Sequence, residues 1–191
     1  EMYSKDISKK VHSSYLLKAQ KGQFTGCLAP FGYRKDPEDK NHLLIDEETA
    51  PIVRRLFAWA LEGHGPNYIR RRLEEEKIPC PTYWNRVRGF RNVSTKWEKK
   101  DPVNGRYMWD FSVIKDILIN PVYTGAIASQ KKEYRFKIGT IGEKKPEEWI
   151  VVENQHEPLV DRKTFDIVQR KLKSRQRPRQ TGEISLFAGL I

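Results

Sequence analysis

The sequence predicts an α+β fold: a helix-turn-helix-like helical bundle with a small antiparallel sheet, preceded by the end of a long connecting helix. Three observations predict it. Apolar residues recur at helical spacing over 47–62, 67–77 and 112–120, and a glycine-containing turn, Gly63-His64-Gly65-Pro66, joins the first two. Strand-like runs separated by charged turns follow over 122–129, 134–141 and 148–153. Residues 1–22 carry a partly amphipathic pattern with no packing partner close by in sequence.

Residues 1–22 read as the tail of a connecting helix. Ile7, Val11, Ser14, Tyr15, Leu17 and Lys18 form its better face, and Lys21-Gly22 gives a basic last turn with a glycine stop. Residues 23–35 read as an extended linker, because two glycines, a proline and three aromatics within 24–35 break any helical pattern. The main domain is assigned to 36–174. It opens with a polar turn over 36–41 and a short strand over 42–45.

The helix over 47–62 is capped by Asp46 or Thr49 and tolerates Pro51 in its first turn. Its stripe is Ile52, Val53, Leu56, Phe57, Ala60 and Leu61, with Arg54 and Arg55 outside it. The helix over 67–77 turns Tyr68, Ile69 and Leu73 inward and places Arg70, Arg71 and Arg72 on its other faces. Pro79 and Pro81 close it. Residues 85–108 read as a long basic insertion loop, with seven Lys or Arg from Arg86 to Arg106 against two acids. The helix over 112–120 takes Ser112 or Asp110 as its N-cap and stops at Asn120-Pro121. A last helix over 161–174 buries Phe165, Ile167, Val168 and Leu172. It runs into a basic linker over 175–191 with an apolar end.

With 191 residues, 38% hydrophobic and 32% charged, the chain reads as a soluble globular protein with a real core. No apolar run approaches the roughly 18 residues a membrane span needs, and the first residues are unlike a signal peptide. These features point to the cytoplasm and away from a membrane partner. Cys27 and Cys80 are far apart in sequence, without CxxC or Cys-x-His spacing; that argues against a disulfide scaffold and an internal zinc site, although the two thiols could still meet in space. No metal, cofactor or small-molecule substrate is expected.

The net charge of +11 favours a polyanionic partner, since Lys and Arg that neutralise phosphates release condensed counterions. Its distribution sharpens this. The insertion interleaves Arg86, Arg88, Arg91, Lys96, Lys99 and Lys100 with Phe90 and Trp97. Six of the ten residues from Arg170 to Arg179 are basic, among them Arg175, Arg177 and Arg179. Such segments position a protein on phosphates, whereas base edges are read by a few residues of a helix in the major groove. The helix over 112–120 fits that part through Ser112, Lys115, Asp116 and Asn120, with Trp109 near its start; as a plain core helix it would simply bury Val113, Ile114, Ile117 and Leu118. Nothing in the sequence pairs a serine with a histidine and an acid at nucleophilic spacing, so no catalytic residue is assigned within the chain.

Seven segments in order resemble the recombinase domain of large serine recombinases. They are Tyr-Ser-Lys-Asp-Ile-Ser-Lys-Lys at 3–10, Lys-Gly-Gln-Phe-Thr-Gly at 21–26, Ala-Pro-Phe-Gly-Tyr at 29–33 and Ala-Pro-Ile-Val-Arg-Arg-Leu-Phe at 50–57, followed by Ile-Asn-Pro-Val-Tyr-Thr-Gly at 119–125, His-Glu-Pro-Leu-Val at 156–160 and Leu-Phe-Ala-Gly-Leu at 186–190. Each is weak alone, and their order makes the match specific.

The resemblance implies a division of labour. An upstream resolvase-like domain would hold the serine that attacks the phosphodiester to form a phosphoserine link, and a zinc ribbon would follow the segment at 186–190; neither lies within this chain. The expected function is sequence-specific binding of double-stranded DNA at attachment or element-end sites, in integration or excision of a mobile element in the bacterial cytoplasm. Self-association is expected of the longer protein. The linker residues Gly26, Pro30, Phe31, Gly32, Tyr33 and Arg34 resemble a connector that follows the DNA, and the resemblance implies a path along the minor groove. The alternative is an RNA-binding or general nucleic-acid scaffold. It would need aromatics such as Phe31, Trp97 and Trp109 exposed to stack on bases.

Overall fold

Helix α1 (Met2–Gln20) stops where the sequence places its stop: Gly22 takes φ +68°, and the Gly22 and Gln23 amides return to the carbonyls of Ala19 and Lys18. The computed structural model describes residues 2–90, 101, 103–135 and 140–174; for 2–6, 8, 9, 133–135, 140, 141 and 143 it describes the backbone alone. Ile7, Val11, Tyr15 and Leu17 are exposed along α1, and among its described side chains only Ala19, near its end, is buried.

Strand β1 (Tyr33–Lys35) pairs antiparallel with β2 (Leu43–Ile45), Tyr33 opposite Ile45. The linker expected over 23–35 is therefore corrected at its end, which is part of the domain. Gly32 makes the join. At φ +93° it holds a backbone that other residues resist, and a Cβ there would lie 2.8 Å from Val53 Cγ2 and 2.9 Å from Leu159 Cδ1.

Helix α2 (Ala50–Glu62) has Thr49 at its N-cap position and Gly63 at its left-handed C-cap; Val53, Leu56, Phe57 and Ala60 are buried along one stripe. Helix α3 (Pro66–Glu75) buries Ile69 and Leu73. Tyr68 was expected to face inward, but a residue adjacent to Ile69 lies about 100° round the helix. Its ring instead stacks on His64 with centroids 3.9 Å apart and stays exposed.

The expectation of one long loop over 85–108 is corrected at both ends. Pro81 begins a helix as well as following one, so α4 (Pro81–Val87) includes residues 85–87. A 3₁₀ turn at Gly105–Tyr107 buries Gly105, and the Cys80 amide donates to Arg106 O at 2.8 Å. Residues 91–100 and 102 lie outside the described residues.

Helix α5 (Phe111–Ile119) is capped by Asp110, whose Oδ1 accepts from the Ser112 amide at 2.9 Å and from its hydroxyl at 2.8 Å. Ile114, Ile117 and Leu118 enter the core, each contributing about 1.5–3 kcal/mol by burial. Asn120 ends the helix and caps a 3₁₀ turn at Pro121–Thr124, so the front half of the run over 122–129 is a turn rather than a strand.

Among the described residues the expected small sheet is three separate two-stranded pairs. Beyond β1–β2, β3 (Ile127–Ser129) pairs with β6 (Ile150–Val152), and β4 (Lys132–Arg135) pairs with β5 (Thr140–Glu143), all antiparallel. The strand expected over 134–141 is divided between β4, which takes 134 and 135, and β5, which takes 140 and 141; residues 136–139 lie outside the described residues. Gln130 at φ +59° breaks the chain between β3 and β4. The end of α1 meets β3 and β6.

Helix α6 (Arg162–Ser174) begins where Asp161 accepts from the Thr164 amide at 2.9 Å. It buries Phe165 and Val168, while Ile167 and Leu172 are half-buried. Helix α2 lies at the centre, against α3, α5 and α6, and α5 also packs on α3 and α6. Tyr33 and Tyr123 join the β1–β2 unit to this core: the Tyr33 hydroxyl donates to Glu157 O at 3.0 Å and accepts from the Leu159 amide at 3.2 Å, and the Tyr123 hydroxyl donates to Phe31 O at 2.9 Å. Burial raises both phenols well above the ordinary tyrosine range, so they act here as neutral hydrogen-bonding groups.

Candidate nucleic-acid interface

With Ile114, Ile117 and Leu118 turned inward, the opposite face of α5 presents Ser112, Lys115, Asp116 and Ile119. This is the surface a helix needs in order to meet base edges: short polar and charged groups on a rigid, deeply anchored element. The Ser112 hydroxyl is engaged by Asp110, whose carboxyl is held below the usual range by the Ser112 amide and hydroxyl.

A cleft of about 520 Å³ separates this face from the β4–β5 hairpin. Lys115, Asp116 and Asn120 line it from the helix side; Lys131, Lys132, Lys144 and Trp149 line it from the other. Closing the hairpin brings Lys131 and Lys144 together, since the Lys144 amide donates to Lys131 O at 3.0 Å. The Lys131 ammonium donates to Asn120 Oδ1 at 3.2 Å and lies 5.1 Å from the centre of the Trp149 ring. Burial pushes its pKa down from the ordinary lysine value, and the Asp116 charge pushes the other way without cancelling the effect.

A second basic cleft, of about 450 Å³, lies where α1 meets the β1–β2 unit, with Lys10, Lys18, Lys35 and Lys40 around Tyr15 and Phe24. The Lys35 ammonium sits 5.6 Å from the centre of the Phe24 ring. Gly26 lines the neighbouring groove beside Ala19 and Ile127, and Arg34 is exposed on β1.

Several residues expected at the interface serve the fold instead. Trp109 is 2% exposed; its indole donates to Ile78 O at 2.8 Å and its ring meets Phe31 edge-on at 5.7 Å. Gly32 and Tyr33 are buried, Phe31 packs against the core, and Pro30 O accepts from the Tyr33 amide at 2.9 Å. The connector is therefore knitted into the domain rather than laid out as a free arm. Asn120 spends its side-chain oxygen on the Val122 amide and on Lys131.

Arg88 is committed as well. It bonds Asp46 at 2.7 Å and Glu48 at 2.8 Å, which removes it from the set of open phosphate contacts. Arg86 is exposed near the end of α4. Arg91, Lys96, Lys99, Lys100, Arg175, Arg177 and Arg179 lie outside the described residues.

Lys131, Lys132, Lys144 and Trp149 line this candidate interface and are not singled out by the sequence reading. The signal was there in two basic pairs, Lys131-Lys132 and Lys144-Lys145, flanking a hairpin-length segment. It is invisible until the hairpin is recognised. Among the described residues no group of three or more His, Cys, Asp or Glu is placed to hold a metal ion, and no helix is long and apolar enough to cross a membrane.

Comparison with known proteins accords with this architecture. The family model described as Recombinase matches residues 47–175, from just before α2 to just past α6. The uncharacterised protein YefB of Bacillus subtilis (strain 168) is 37% identical over 86 residues, which are 44% of this chain and 28% of YefB. A crystal structure of an LSR–DNA complex shares the fold at 16% identity and a TM-score of 0.50, covering 93% of this chain and 44% of that one. A structure from work on the sequence requirements of the Listeria innocua prophage attP site aligns at 16% identity and a TM-score of 0.49, covering 84% of this chain and 50% of that one. This chain thus spans at most half the length of each of these proteins. Three of the seven ordered segments, at 50–57, 119–125 and 156–160, lie within the residues that the family model matches, and the chain belongs to the Recombinase family.

Proposed function

We propose that this chain binds double-stranded DNA sequence-specifically, at attachment or element-end sites, as the recombinase domain of a serine site-specific recombinase that integrates or excises a mobile element. The observation that carries this reading is the outward face of α5: Ser112, Lys115 and Asp116 are exposed on a helix whose other side is locked into the core, beside a cleft lined by four lysines and one aspartate. A rigid reader next to a basic cleft suits a duplex, where phosphate contacts set the register and a few side chains discriminate bases. Family membership and the fold shared with an LSR–DNA complex support the same partner.

In this reading the chain recognises, and the serine that cleaves and rejoins DNA belongs to a resolvase-like domain of the same polypeptide, acting on a bacterial chromosome or element. Self-association is likewise assigned to other parts of that polypeptide. Duplex DNA is favoured over single-stranded RNA because Trp109 is enclosed and Phe31 is packed against it, which withdraws two of the aromatic platforms that base stacking needs.

A mobility-shift titration with candidate element-end duplexes and scrambled duplexes, repeated at several salt concentrations, tests the proposal. One duplex should bind tighter than its scrambled version, and log affinity should fall linearly with log salt concentration. Equal affinity for every sequence, or no dependence on salt, overturns it.

A further inference from the structure

Lys131 is placed unlike an ordinary surface lysine. A lysine usually buries its stem and keeps its ammonium in water. Here the ammonium is held between a neutral acceptor, Asn120 Oδ1 at 3.2 Å, and the face of Trp149 at 5.1 Å. Among the described residues no carboxylate lies within ion-pair distance of it. An amide oxygen and a π face orient a cation without neutralising it, so the charge is kept available at a fixed position.

The two walls of the cleft also differ in chemistry. The helix wall carries Asn120 and mixes Lys115 with Asp116, two groups able to donate to or accept from base edges. Among the described residues, the opposite wall offers Lys131, Lys132, Lys144 and the Trp149 ring, and no acid. A wall of fixed positive charge matches the sequence-independent part of duplex DNA, its phosphates.

Resting on the DNA-binding reading above, we infer that the hairpin wall of this cleft grips the sugar-phosphate backbone beside the bases faced by α5, with Lys131 as a pre-positioned phosphate contact. Asn120 is then a positioning residue: it caps the turn after α5 and aims the Lys131 ammonium, and it does not itself read bases. Partial burial lowers the Lys131 pKa from the ordinary lysine value, and a phosphate seated beside the ammonium raises it again by favouring the charged form.

The test is fluorescence anisotropy of the full chain with a preferred duplex and its scrambled version across a salt series, using Lys131→Met, Lys131→Arg and Lys115→Ala, with urea midpoints measured in parallel. Methionine keeps the stem and removes the charge. Lys131→Met should weaken both duplexes alike, roughly 3- to 10-fold, and lower the magnitude of the salt slope by about 1, with an unchanged urea midpoint; Lys131→Arg should restore most of the loss. If Lys131→Met binds with the wild-type slope while Lys115→Ala alters binding, the phosphate contact is wrong and the DNA reading stands. A Lys131→Met loss confined to the preferred duplex also overturns it, making Lys131 a base reader. Absence of salt-dependent duplex binding by the wild-type chain removes both.

Discussion

Arg88, at the C-terminal end of α4, reaches the nearly buried carboxylate of Asp46 just ahead of α2, with Nη1 2.7 Å from Oδ2. The pair closes a chain of hydrogen bonds. Asp46 accepts from the Thr49 hydroxyl, the Thr49 oxygen accepts from the Gly32 amide at 3.2 Å, and Gly32 O accepts from the Asp46 amide at 3.1 Å. The end of the connector, the start of α2 and the edge of the basic insertion are thereby fastened at one point. An arginine legible in sequence as a phosphate contact is spent on architecture.

Arg88→Ala should therefore destabilise the fold by about 1–3 kcal/mol, because it strips the strongest partner from a carboxylate that stays shielded from water. Urea denaturation reads the loss. At temperatures where the variant remains folded, its duplex affinity should equal that of the wild type, and a reduced salt slope with unchanged stability would return Arg88 to the interface.

The same pair gives stability an acid limb. Burial alone would raise the Asp46 carboxyl, but hydrogen bonds from Arg88 and Thr49 and the charge of Arg88 outweigh it, and the net shift is downward. A carboxyl whose folded value lies below its unfolded value contributes stability that is fully present above the unfolded value, near 3.8, and is lost as pH falls through the lower folded value. Wild-type stability should fall below about pH 4 more steeply than that of Asp46→Asn, by urea titration at successive pH values. Parallel curves would show that the carboxylate contributes nothing there.

Gly32→Ala should cost about 2–4 kcal/mol, combining a positive φ with a methyl driven into Val53 and Leu159. Thermal unfolding measures it. A shift of less than about 1 kcal/mol would mean that the β1 entry relaxes freely.

Lys115→Ala and Ser112→Ala should change which bases are preferred, whereas Lys132→Ala should weaken all duplexes together and flatten the salt slope. Selection from a randomised duplex pool, followed by affinities at two salt concentrations, separates these outcomes. If all three variants behave alike, α5 is not the reading helix.

Much of this molecule is decided by local pattern. The stripe Val53, Leu56, Phe57 and Ala60 needs only the helical period to be read, and the stops at Gly22, Gly63 and Asn120-Pro121 follow from backbone chemistry. So do the helix over 112–120 and its outward Ser112, Lys115 and Asp116, because a buried stripe defines the opposite face. Tertiary packing decided the rest. Trp109 and Tyr33 carry polar handles on large rings, and sequence cannot tell whether such a ring stacks on a base or fills a core; here Ile78 O, Glu157 O and the Leu159 amide, remote in sequence, satisfy those handles inside the fold. Arg88 reads as free charge until Asp46 is seen beside it, 42 positions away in the chain. Lys131 reads as one more surface lysine until the hairpin closes and sets it between Asn120 and Trp149. Period and propensity act over a few residues and are written in the sequence, whereas the availability of a charge or a ring depends on what long-range packing brings against it.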